Sequence, residues 1–348
     1  MSEPATHQNI ITLFGGSNAE RLVSIASAQN VSRFIGGEIW FWATSGEIYS
    51  TPQEELEGHK NPFVSEFHPK GKLLFTSLES ALDDPSLQKQ KPTFFLALHG
   101  KVGEDGDVQK LLEERGYSFT GSNSVASKNA FEKTITNSIV KKMGIRVPHS
   151  ATRNTSNLTQ CAQVITQMLL AHQSLVLKPV ASGSSDGLFF VSNLEQLEVA
   201  MKSLALRHNE EFLIEERIFG TEITVGVIER STGQIEILPP TEVRVDLEKT
   251  FDYAGKYLGH GAVEITPAQI SNTDTITAQN ISKDIHIALG CRGYSRTDLI
   301  LDTKGFVFIE LNTLPGLTNQ SFIPQQLDAA GIPLQAFIEE QIAIALRS

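Results

Sequence analysis

The chain has 348 residues, of which 40% are hydrophobic and 20% are charged, a composition typical of a soluble globular protein with a sizeable core. Its net charge of −11 argues against a general nucleic-acid or membrane-surface binder, so a bound anion would need local cations and backbone amides. Cys161 and Cys291 lie far apart, and neither a secretory signal nor a membrane-length apolar run is present. We therefore expect two or three domains of a cytoplasmic protein with reduced cysteines.

The first predicted elements are a buried strand at residues 9–14, the turn GGSNAE and a helix around residues 23–28. This order is typical of the start of a βαβ unit. The glycines let a ligand approach the backbone, and the helix N-terminus favours an anion. A tight turn that merely needs glycine is an equally good interpretation. Glu20 either caps the helix or holds the ammonium group of a ligand.

A second apolar strand, at residues 93–98, ends in His99 and precedes GEDG and a helix at residues 108–115. Open α/β sheets bind ligands at the carboxyl ends of their strands, so His99 is expected to line a site. The alternative is a histidine that only satisfies a local hydrogen bond. Residues 46–92, between the two strands, indicate no particular chemistry.

The middle of the chain predicts a phosphate-binding loop. A helix at residues 127–143 carries Lys133, and a polar turn leads to a second helix at residues 158–171. Strands at residues 174–179 and 188–191 then flank VASGSSDG, with Lys178 at its root. Exposed amides and serine hydroxyls suit phosphates, although a flexible hairpin is the alternative.

Acidic residues lie around the next two predicted strands. Glu215 and Glu216 end the strand at residues 211–216, and Glu222 belongs to the turn that leads into the strand at residues 223–228. They would bind the ribose of a nucleotide, or they only keep an edge strand soluble. The segment FDYAGKYLGHG is polar, aromatic and rich in glycine, which predicts a mobile loop able to close over a site. Helices are expected at residues 275–289 and 333–346.

Two strand-like runs near the end of the chain carry acids. Asp298 begins one run and Glu310 ends the other, and a Lys304-Gly305 turn joins them. A hairpin would bring Asp298 close to Glu310, with Asn312 further along the same side. Two carboxylates and an amide are hard oxygen ligands, suited to Mg²⁺ that also contacts phosphates. A polar strand end with solvated acids is the alternative, but the combination favours a metal site.

Eight blocks in fixed order give the chain a family resemblance. They read LFGGSNAERLVS, LALHGKVGEDGDVQ, TGSNSVASKNAFEK, LVLKPVASGSSDG, LIEERIFGTEITV, FDYAGKY, LGCRGYSRTDLIL and IELNTLPGLTNQS. Together they resemble the D-alanine–D-alanine ligases of the ATP-grasp superfamily. The likeness runs from residue 13 to residue 346 and is poorest across residues 40–90.

The resemblance implies an α/β fold, which is α+β in the domains that grip the nucleotide. The expected architecture is a three-domain ATP-grasp protein with an N-terminal open parallel sheet. The expected domains are residues 1–122, 123–219 and 220–348. The family forms an acyl phosphate from one D-alanine and ATP, which the amine of a second D-alanine attacks, for peptidoglycan precursor synthesis. ATP, two Mg²⁺ ions (or Mn²⁺) and a homodimer are expected, without nucleic-acid or membrane partners.

The resemblance also assigns residues to acyl transfer. Glu20 would hold the ammonium of the first D-alanine, and His99 would lie near its carboxylate. Arg296 and the N–H of Gly316 would stabilise the oxyanion. Ser321 would receive the carboxylate of the second D-alanine.

Further residues are carried over to ATP and metal. The ATP-binding set comprises Lys133, Lys178, Ser185, Glu215, Arg217, Ile218 and Glu222. Lys256 would reach the γ-phosphate, and Tyr257 would close the site by bonding Ser184. The metal ligands would be Asp298, Glu310 and Asn312.

Four positions depart from the family pattern, namely Leu22, Asp186, Arg217 and Gly255. They leave open a related ligase that uses D-lactate, D-serine or another amino acid as the acceptor. The resemblance to the Lys256-Tyr257 pair favours an amine acceptor. A non-catalytic nucleotide-binding regulator is a third hypothesis, which the intact Arg296 and metal set oppose.

Overall fold

The computed structural model describes residues 9–181, 187–245 and 262–347. Most of the predicted phosphate loop and all of the predicted closing loop lie outside these ranges. The predicted residues concerned are Ser184, Ser185, Asp186, Gly255, Lys256 and Tyr257.

The N-terminal sheet has five strands in the order β4-β3-β2-β1-β5. Their bounds are β1 Ile10–Gly15, β2 Glu38–Trp42, β3 Ile48–Ser50, β4 Leu73–Phe75 and β5 Thr93–Leu96. Strand β1 pairs in parallel with both β2 and β5, whereas β3 and β4 add an antiparallel edge. The predicted βαβ unit is therefore confirmed, because helix α1 connects β1 to β2.

Eight helices belong to the first part of the chain, within the described residues. They are α1 Arg21–Ile35, α2 Gln53–Gly58, α3 Leu78–Leu82, α4 Pro85–Gln90, α5 Lys101–Glu104, α6 Asp107–Glu114, α7 Ser124–Phe131 and α8 Lys133–Lys142. The prediction of one helix over residues 127–143 is wrong, because the backbone of Glu132 is extended and separates α7 from α8. After this break, the N–H of Lys133 donates to the carbonyl of Val180 at 3.3 Å.

The central sheet is antiparallel, with the strand order β6-β9-β7-β8. Its elements are β6 Ser150–Asn154, α9 Leu158–His172, β7 Leu175–Pro179, β8 Phe189–Val191, α10 Leu194–Ala205 and β9 Glu211–Glu216. Strand β6 was predicted as a polar turn. Its sequence, SATRN, carries no apolar alternation, and it is a strand because it pairs with β9 along its whole length.

The third sheet has the order β13-β12-β10-β14-β15, with β11 paired to β10. Its strands are β10 Thr221–Glu229, β11 Ile235–Ile237, β12 Thr241–Val245, β13 Ala262–Ile265, β14 Tyr294–Asp302 and β15 Gly305–Asn312. The associated helices are α11 Asn272–Ala288, α12 Phe322–Ala329 and α13 Leu334–Ala345. The third sheet therefore contains both runs of the predicted acidic hairpin.

The β14–β15 hairpin confirms the predicted pairing. Asp298 lies opposite Glu310, Arg296 lies opposite Asn312, and the pairing closes at Asp302 and Gly305. The register shifts between Asp298 and Leu299, where a β-bulge leaves one extra residue in β15.

The sheets share buried cores with their helices. One core continues from the N-terminal sheet to α12 and α13, and a second lies between the third sheet, α8 and α11. A third core belongs to the central sheet with α9 and α10. Each sheet falls inside one expected domain, and the boundaries near residues 122 and 219 stay a prediction. Among the described residues, no helix has the length and apolar character needed to cross a membrane.

Candidate active site

A single cleft lies where the third sheet meets the N-terminal sheet. Nine of the predicted site residues line it, namely Glu20, His99, Glu222, Arg296, Asp298, Glu310, Asn312, Gly316 and Ser321. They come from both ends of the chain, so folding brings together residues separated by about 300 positions in sequence. Glu104 and Glu264 also line the cleft, although the sequence assigned no role to either.

Glu20 occupies the N-cap position of α1, but its side chain makes no capping hydrogen bond. The capping interpretation of this residue is therefore wrong. Its carboxylate lies against Gly100, which has a φ of +65° and where a Cβ atom would come within 1.6 Å of Oε2 of Glu20. Position 100 therefore requires glycine for two reasons. Its backbone has a positive φ, and the Glu20 carboxylate, which faces the cleft, leaves no room for a Cβ atom.

Arg296 and Asp298 form a bidentate ion pair on one face of β14. The Arg296 Nε donates to Oδ1 of Asp298 at 2.9 Å, and Nη2 donates to Oδ2 at 2.7 Å. Thr224 on the neighbouring strand donates its hydroxyl to Oδ1 at 2.5 Å. The guanidinium also lies 5.4 Å from the ring centroid of Phe322. Because both charged side chains are largely buried, this network fixes the cation in one orientation.

The predicted metal ligands lie on the same face of the third sheet. Asp298 and Glu310 are cross-strand partners, and Asn312 follows two residues after Glu310. The Nδ2 atom of Asn312 is buried and has no hydrogen-bond partner among the described residues. A half-turn of this amide would present its oxygen instead, so the set fits a hard cation. The described residues contain no cluster of three His, Cys, Asp or Glu with metal-binding geometry, so the amide is needed to complete the set.

Glu264 on β13 adds a further carboxylate to this face of the sheet. Glu264 pairs with Val243 on β12, and Val243 pairs in turn with Glu222 on β10. The side-chain amide of Gln325 donates to its Oε2 at 2.5 Å. Burial raises the pKa of Glu264, and the Gln325 hydrogen bond opposes this shift. No motif around Glu264 predicted that it would line the cleft.

Gly316 and Ser321 belong to the segment that connects β15 to α12. The Ser321 hydroxyl accepts a hydrogen bond from the N–H of Thr318 at 3.2 Å and lies 2.8 Å from the Thr318 hydroxyl. A Cβ atom at Gly316 would come within 2.6 Å of this hydroxyl. The glycine is therefore packed directly against the serine predicted to receive a substrate carboxylate.

His99 lines the cleft, but both of its ring nitrogens contact protein groups. Nδ1 lies 2.8 Å from the carbonyl oxygen of Leu314, and Nε2 lies 2.7 Å from the Ser27 hydroxyl. Burial lowers the pKa of His99 to about 4, which keeps the ring neutral at pH 7. Since a carbonyl can only accept, Nδ1 carries the proton and Nε2 accepts from Ser27. A direct contact with a substrate carboxylate would have to break one of these bonds.

Glu104 is a buried acid that the sequence reasoning missed. Its Oε2 accepts from the N–H of Gly100 and its Oε1 from the N–H of Leu314, both at 3.0 Å. Burial, followed by the nearby charge of Glu20, raises the pKa of Glu104 to about 8. The GEDG motif was the available signal, but it was interpreted only as a glycine-rich loop.

The predicted phosphate-side residues lie in the central part of the chain. The ammonium of Lys178 lies 2.7 Å from Oε2 of Glu215, and the amide of Asn137 donates to Oε1 at 3.2 Å. Glu215 is only 3% exposed, so its carboxylate is buried with two protein partners. Lys133 begins α8, beside the end of β7. The structure therefore joins Lys178 to Glu215 directly, which the sequence did not predict.

Arg217 lies just after β9, and its guanidinium lies over two aromatic rings. Its guanidinium carbon is 4.5 Å from the ring centroid of Phe190 and 5.0 Å from that of Phe219. Its backbone N–H donates to the carbonyl of Ser174 at 2.9 Å, and Ile218 follows in the same half-buried segment. A guanidinium is planar and stacks on aromatic rings, so the two phenylalanines help to orient it.

Two family models match the chain. The model of the D-ala D-ala ligase C-terminus matches residues 139–343, and that of the D-ala D-ala ligase N-terminus matches residues 9–122. The chain belongs to the D-alanine–D-alanine ligase family. The predicted family and the predicted ATP-grasp fold class are thereby confirmed.

Individual relatives match this chain over almost the whole length of both chains. A D-alanine–D-alanine ligase from Leptospira interrogans is 33% identical, covering 97% of this chain and 98% of the relative. The crystal structure of the VanG D-Ala:D-Ser ligase from Enterococcus faecalis is 27% identical, with a TM-score of 0.78 and coverage of 97% and 99%. A Bacillus anthracis D-alanine–D-alanine ligase complexed with ATP is 23% identical, covers 97% of both chains and, at a TM-score of 0.69, shares the fold.

Proposed function

We propose that this protein uses ATP to join two D-alanine molecules, giving D-alanyl-D-alanine, ADP and phosphate. One observation carries the proposal: a single cleft gathers an acid from the N-terminal domain and a fixed cation, a glycine and a serine from the C-terminal segment. The family supports the same activity, since the Leptospira interrogans relative is named for it. The product would supply peptidoglycan precursor synthesis.

The chemistry explains why such a cleft is needed. A free carboxylate is a poor electrophile because oxide would have to leave. Transfer of the γ-phosphoryl group of ATP to the first D-alanine gives an acyl phosphate, whose phosphate leaves readily. Attack by the second D-alanine amine then forms a tetrahedral oxyanion, which fixed N–H donors and cations stabilise. Water must be kept away, since it would hydrolyse the acyl phosphate.

Each cleft residue has a proposed part in this sequence. Glu20 holds the ammonium of the first D-alanine. Arg296 donates to the oxyanion, and its two bonds to Asp298 hold the guanidinium in place. The N–H of Gly316 is the second oxyanion donor. Ser321 receives the carboxylate of the second D-alanine.

The nucleotide is proposed to bind beside the central sheet. Lys133 and Lys178 contact its phosphates. An ammonium has three donors, so Lys178 can keep its bond to Glu215 while it contacts phosphate. Arg217 and the backbone around Ile218 cover the adenine, and Glu222 holds the ribose hydroxyls.

Four proposed residues lie outside the described ranges and complete the site by resemblance. Ser184 and Ser185 cover the phosphates, Lys256 reaches the γ-phosphate, and Tyr257 closes the cleft against Ser184. The domain boundaries near residues 122 and 219 are proposed on the same ground.

The proposed metal site binds two Mg²⁺ ions, for which Mn²⁺ can substitute. Its ligands are Asp298, Glu310 and Asn312. When bound, the metal neutralises charge on the phosphates during phosphoryl transfer. The three residues supply hard oxygens on one face of the hairpin, and Thr224 orients the first of them.

We further propose that the protein is a cytoplasmic homodimer. The dimer is what the family resemblance implies, and the cytoplasmic location is supported by the two free cysteines, Cys161 and Cys291. Light scattering of the purified protein at several concentrations tests the dimer, and a monomer mass throughout the range would contradict it.

Product analysis tests the activity. The protein is incubated with ATP, Mg²⁺ and an equimolar mixture of D-alanine, D-serine, D-lactate and L-alanine, and the products are identified by mass spectrometry. We expect D-alanyl-D-alanine as the main product. A mixed product in excess would favour the related ligase that uses another acceptor. An absence of any ATP-dependent product, with Glu310→Ala matching the wild type in nucleotide binding, would favour the non-catalytic regulator.

A further inference from the structure

The turn that carries Gly316 is held by side chains from the other end of the chain. Four buried residues from the first 104 residues of the chain form hydrogen bonds with the backbone of Leu314 and Leu317. These two leucines flank Pro315 and Gly316. These four residues are Ser27, Asn30, His99 and Glu104, and none is more than 7% exposed.

Leu314 is held through both of its backbone groups. Its N–H donates to Oε1 of Glu104 at 3.0 Å, and its carbonyl accepts from Nδ1 of His99 at 2.8 Å. The second oxygen of Glu104 accepts from the N–H of Gly100. Glu104 therefore links the turn to the loop against which Glu20 packs.

Leu317 is held in the same way by helix α1. Its N–H donates to the Ser27 hydroxyl at 3.1 Å, and its carbonyl accepts from Nδ2 of Asn30 at 2.7 Å. Arg33 donates to Oδ1 of Asn30 at 2.7 Å, which fixes the orientation of that amide. Because the Ser27 hydroxyl also bonds His99, the two halves of the turn share one hydrogen-bond network.

The remaining backbone groups of the turn are arranged differently. Pro315 has no N–H to place. Within the part of the chain that the structure describes, the N–H of Gly316 makes no hydrogen bond, and Gly316 lines the cleft. The bonds on both sides thus leave one backbone donor of the turn for a ligand.

We propose that Ser27, Asn30, His99 and Glu104 are positioning residues that aim the N–H of Gly316 at the reacting carbonyl during peptide-bond formation. The helix and loop that bind the first substrate would then also set the oxyanion contact for the second step. His99 acts here through Leu314 rather than on a substrate carboxylate. The proposal rests on the proposed ligase function.

The proposal predicts an effect on one chemical step. An oxyanion donor acts when the amine attacks the acyl phosphate, whereas transfer of the phosphoryl group from ATP does not involve it. Loss of one such donor slows an acyl-transfer reaction by about 10²–10³-fold. A donor that is displaced rather than lost should slow the reaction by a smaller factor. Dipeptide formation should therefore slow while acyl phosphate formation continues.

Helix α1 offers the test variant and two matched controls. Ser27→Ala removes the hydroxyl that bonds both Leu317 and His99. Ser24→Ala also removes a buried hydroxyl with two hydrogen bonds, but its partners are Gly15 and Ala97. Ser32→Ala removes a buried hydroxyl that has no partner among the described residues. The three variants make the same chemical change on one helix and differ in the bonds lost.

Rapid-quench kinetics with D-alanine and ATP separate the steps, because the ADP burst reports acyl phosphate formation and the dipeptide reports acyl transfer. For Ser27→Ala we expect kcat for the dipeptide to fall about 10- to 100-fold, with the ADP burst rate and the KM for ATP within about twofold of wild type. Ser24→Ala and Ser32→Ala should keep the two rates in their wild-type ratio, even where the melting temperature falls.

The proposal is overturned if Ser27→Ala slows the ADP burst and the dipeptide equally, or if Ser24→Ala gives the same selective loss. If Ser27→Ala does not fold, Asn30→Asp takes its place, since it keeps the acceptor for Arg33 and puts a carboxylate oxygen where the donor to Leu317 was. It is expected to show the same selective loss. A wild-type protein that makes no D-alanyl-D-alanine would refute the proposed function, whereas an active wild type with unselective variants would refute this inference alone.

Discussion

The buried carboxyl of Glu104 predicts an unusual dependence of stability on pH. Its pKa is about 8 in the folded chain, against an ordinary value of 4.5, because burial disfavours the charged form. Between these two values the folded state binds more protons than the unfolded state. The contribution of Glu104 to stability is therefore fully present below pH 4.5 and is lost as the pH rises towards 8.

Glu104→Gln isolates this effect, because glutamine has nearly the same size but does not titrate. One proton of difference changes the free energy of unfolding by about 1.4 kcal/mol per pH unit. From pH 5 to pH 7 the wild type should thus lose roughly 3 kcal/mol relative to the variant. The titrating groups that do not interact with Glu104 are common to both proteins and cancel in the difference.

Urea unfolding at several pH values, followed by tryptophan fluorescence, measures this difference. The two tryptophans of the chain, Trp40 and Trp42, both lie in β2 of the N-terminal sheet and report the part of the fold that contains Glu104. Parallel curves would refute the reasoning. A difference of the opposite sign would mean that the hydrogen bonds from Gly100 and Leu314 outweigh burial and hold the carboxyl ionised.

Three further predictions concern the ligase reaction. Arg217→Ala removes the stacked guanidinium and should raise the KM for ATP about tenfold, with the KM for D-alanine unchanged in steady-state assays; an equal rise in both would contradict a nucleotide-specific role. Gly100→Ala places a methyl group on the Glu20 carboxylate, so D-alanine should bind at least tenfold more weakly while ATP binding persists by calorimetry. Glu310→Gln removes a proposed metal ligand and should lower kcat more than 100-fold, with the loss partly reversed by excess Mn²⁺; wild-type turnover after chelation of divalent ions would contradict a metal requirement.

Local patterns predicted the parts of the fold that depend on neighbouring residues. The hairpin that pairs Asp298 with Glu310 followed from two apolar runs around a Lys304-Gly305 turn, and the register agrees. Strand β6 was missed because its polar sequence carries no period, and its conformation depends on pairing with β9. The break at Glu132 depends likewise on what surrounds it in the folded chain.

The cleft shows the same division. Nine of the residues that the family resemblance singled out line one cavity, and their roles there stay a prediction. The bonds from Glu104 and Ser27 to the Gly316 turn join residues more than 200 positions apart, so no local pattern encodes them. Nor does the sequence indicate that Lys178 meets Glu215, since that contact depends on how β7 pairs with β9.

The bulge in β15 determines which one-residue deletions the β14–β15 hairpin can tolerate. In a regular strand, residues two positions apart share a face, yet Phe308 is packed in the core with Leu299 whereas Glu310 faces the cleft. The extra residue, Ile309, reverses the alternation between them. Deletion of Ile309 would therefore leave Phe308 beside Leu299 and Glu310 beside Asp298 in ordinary pairing. A one-residue deletion elsewhere in β15 would keep the bulge and move the residues on one side of the deletion to the opposite face of the sheet.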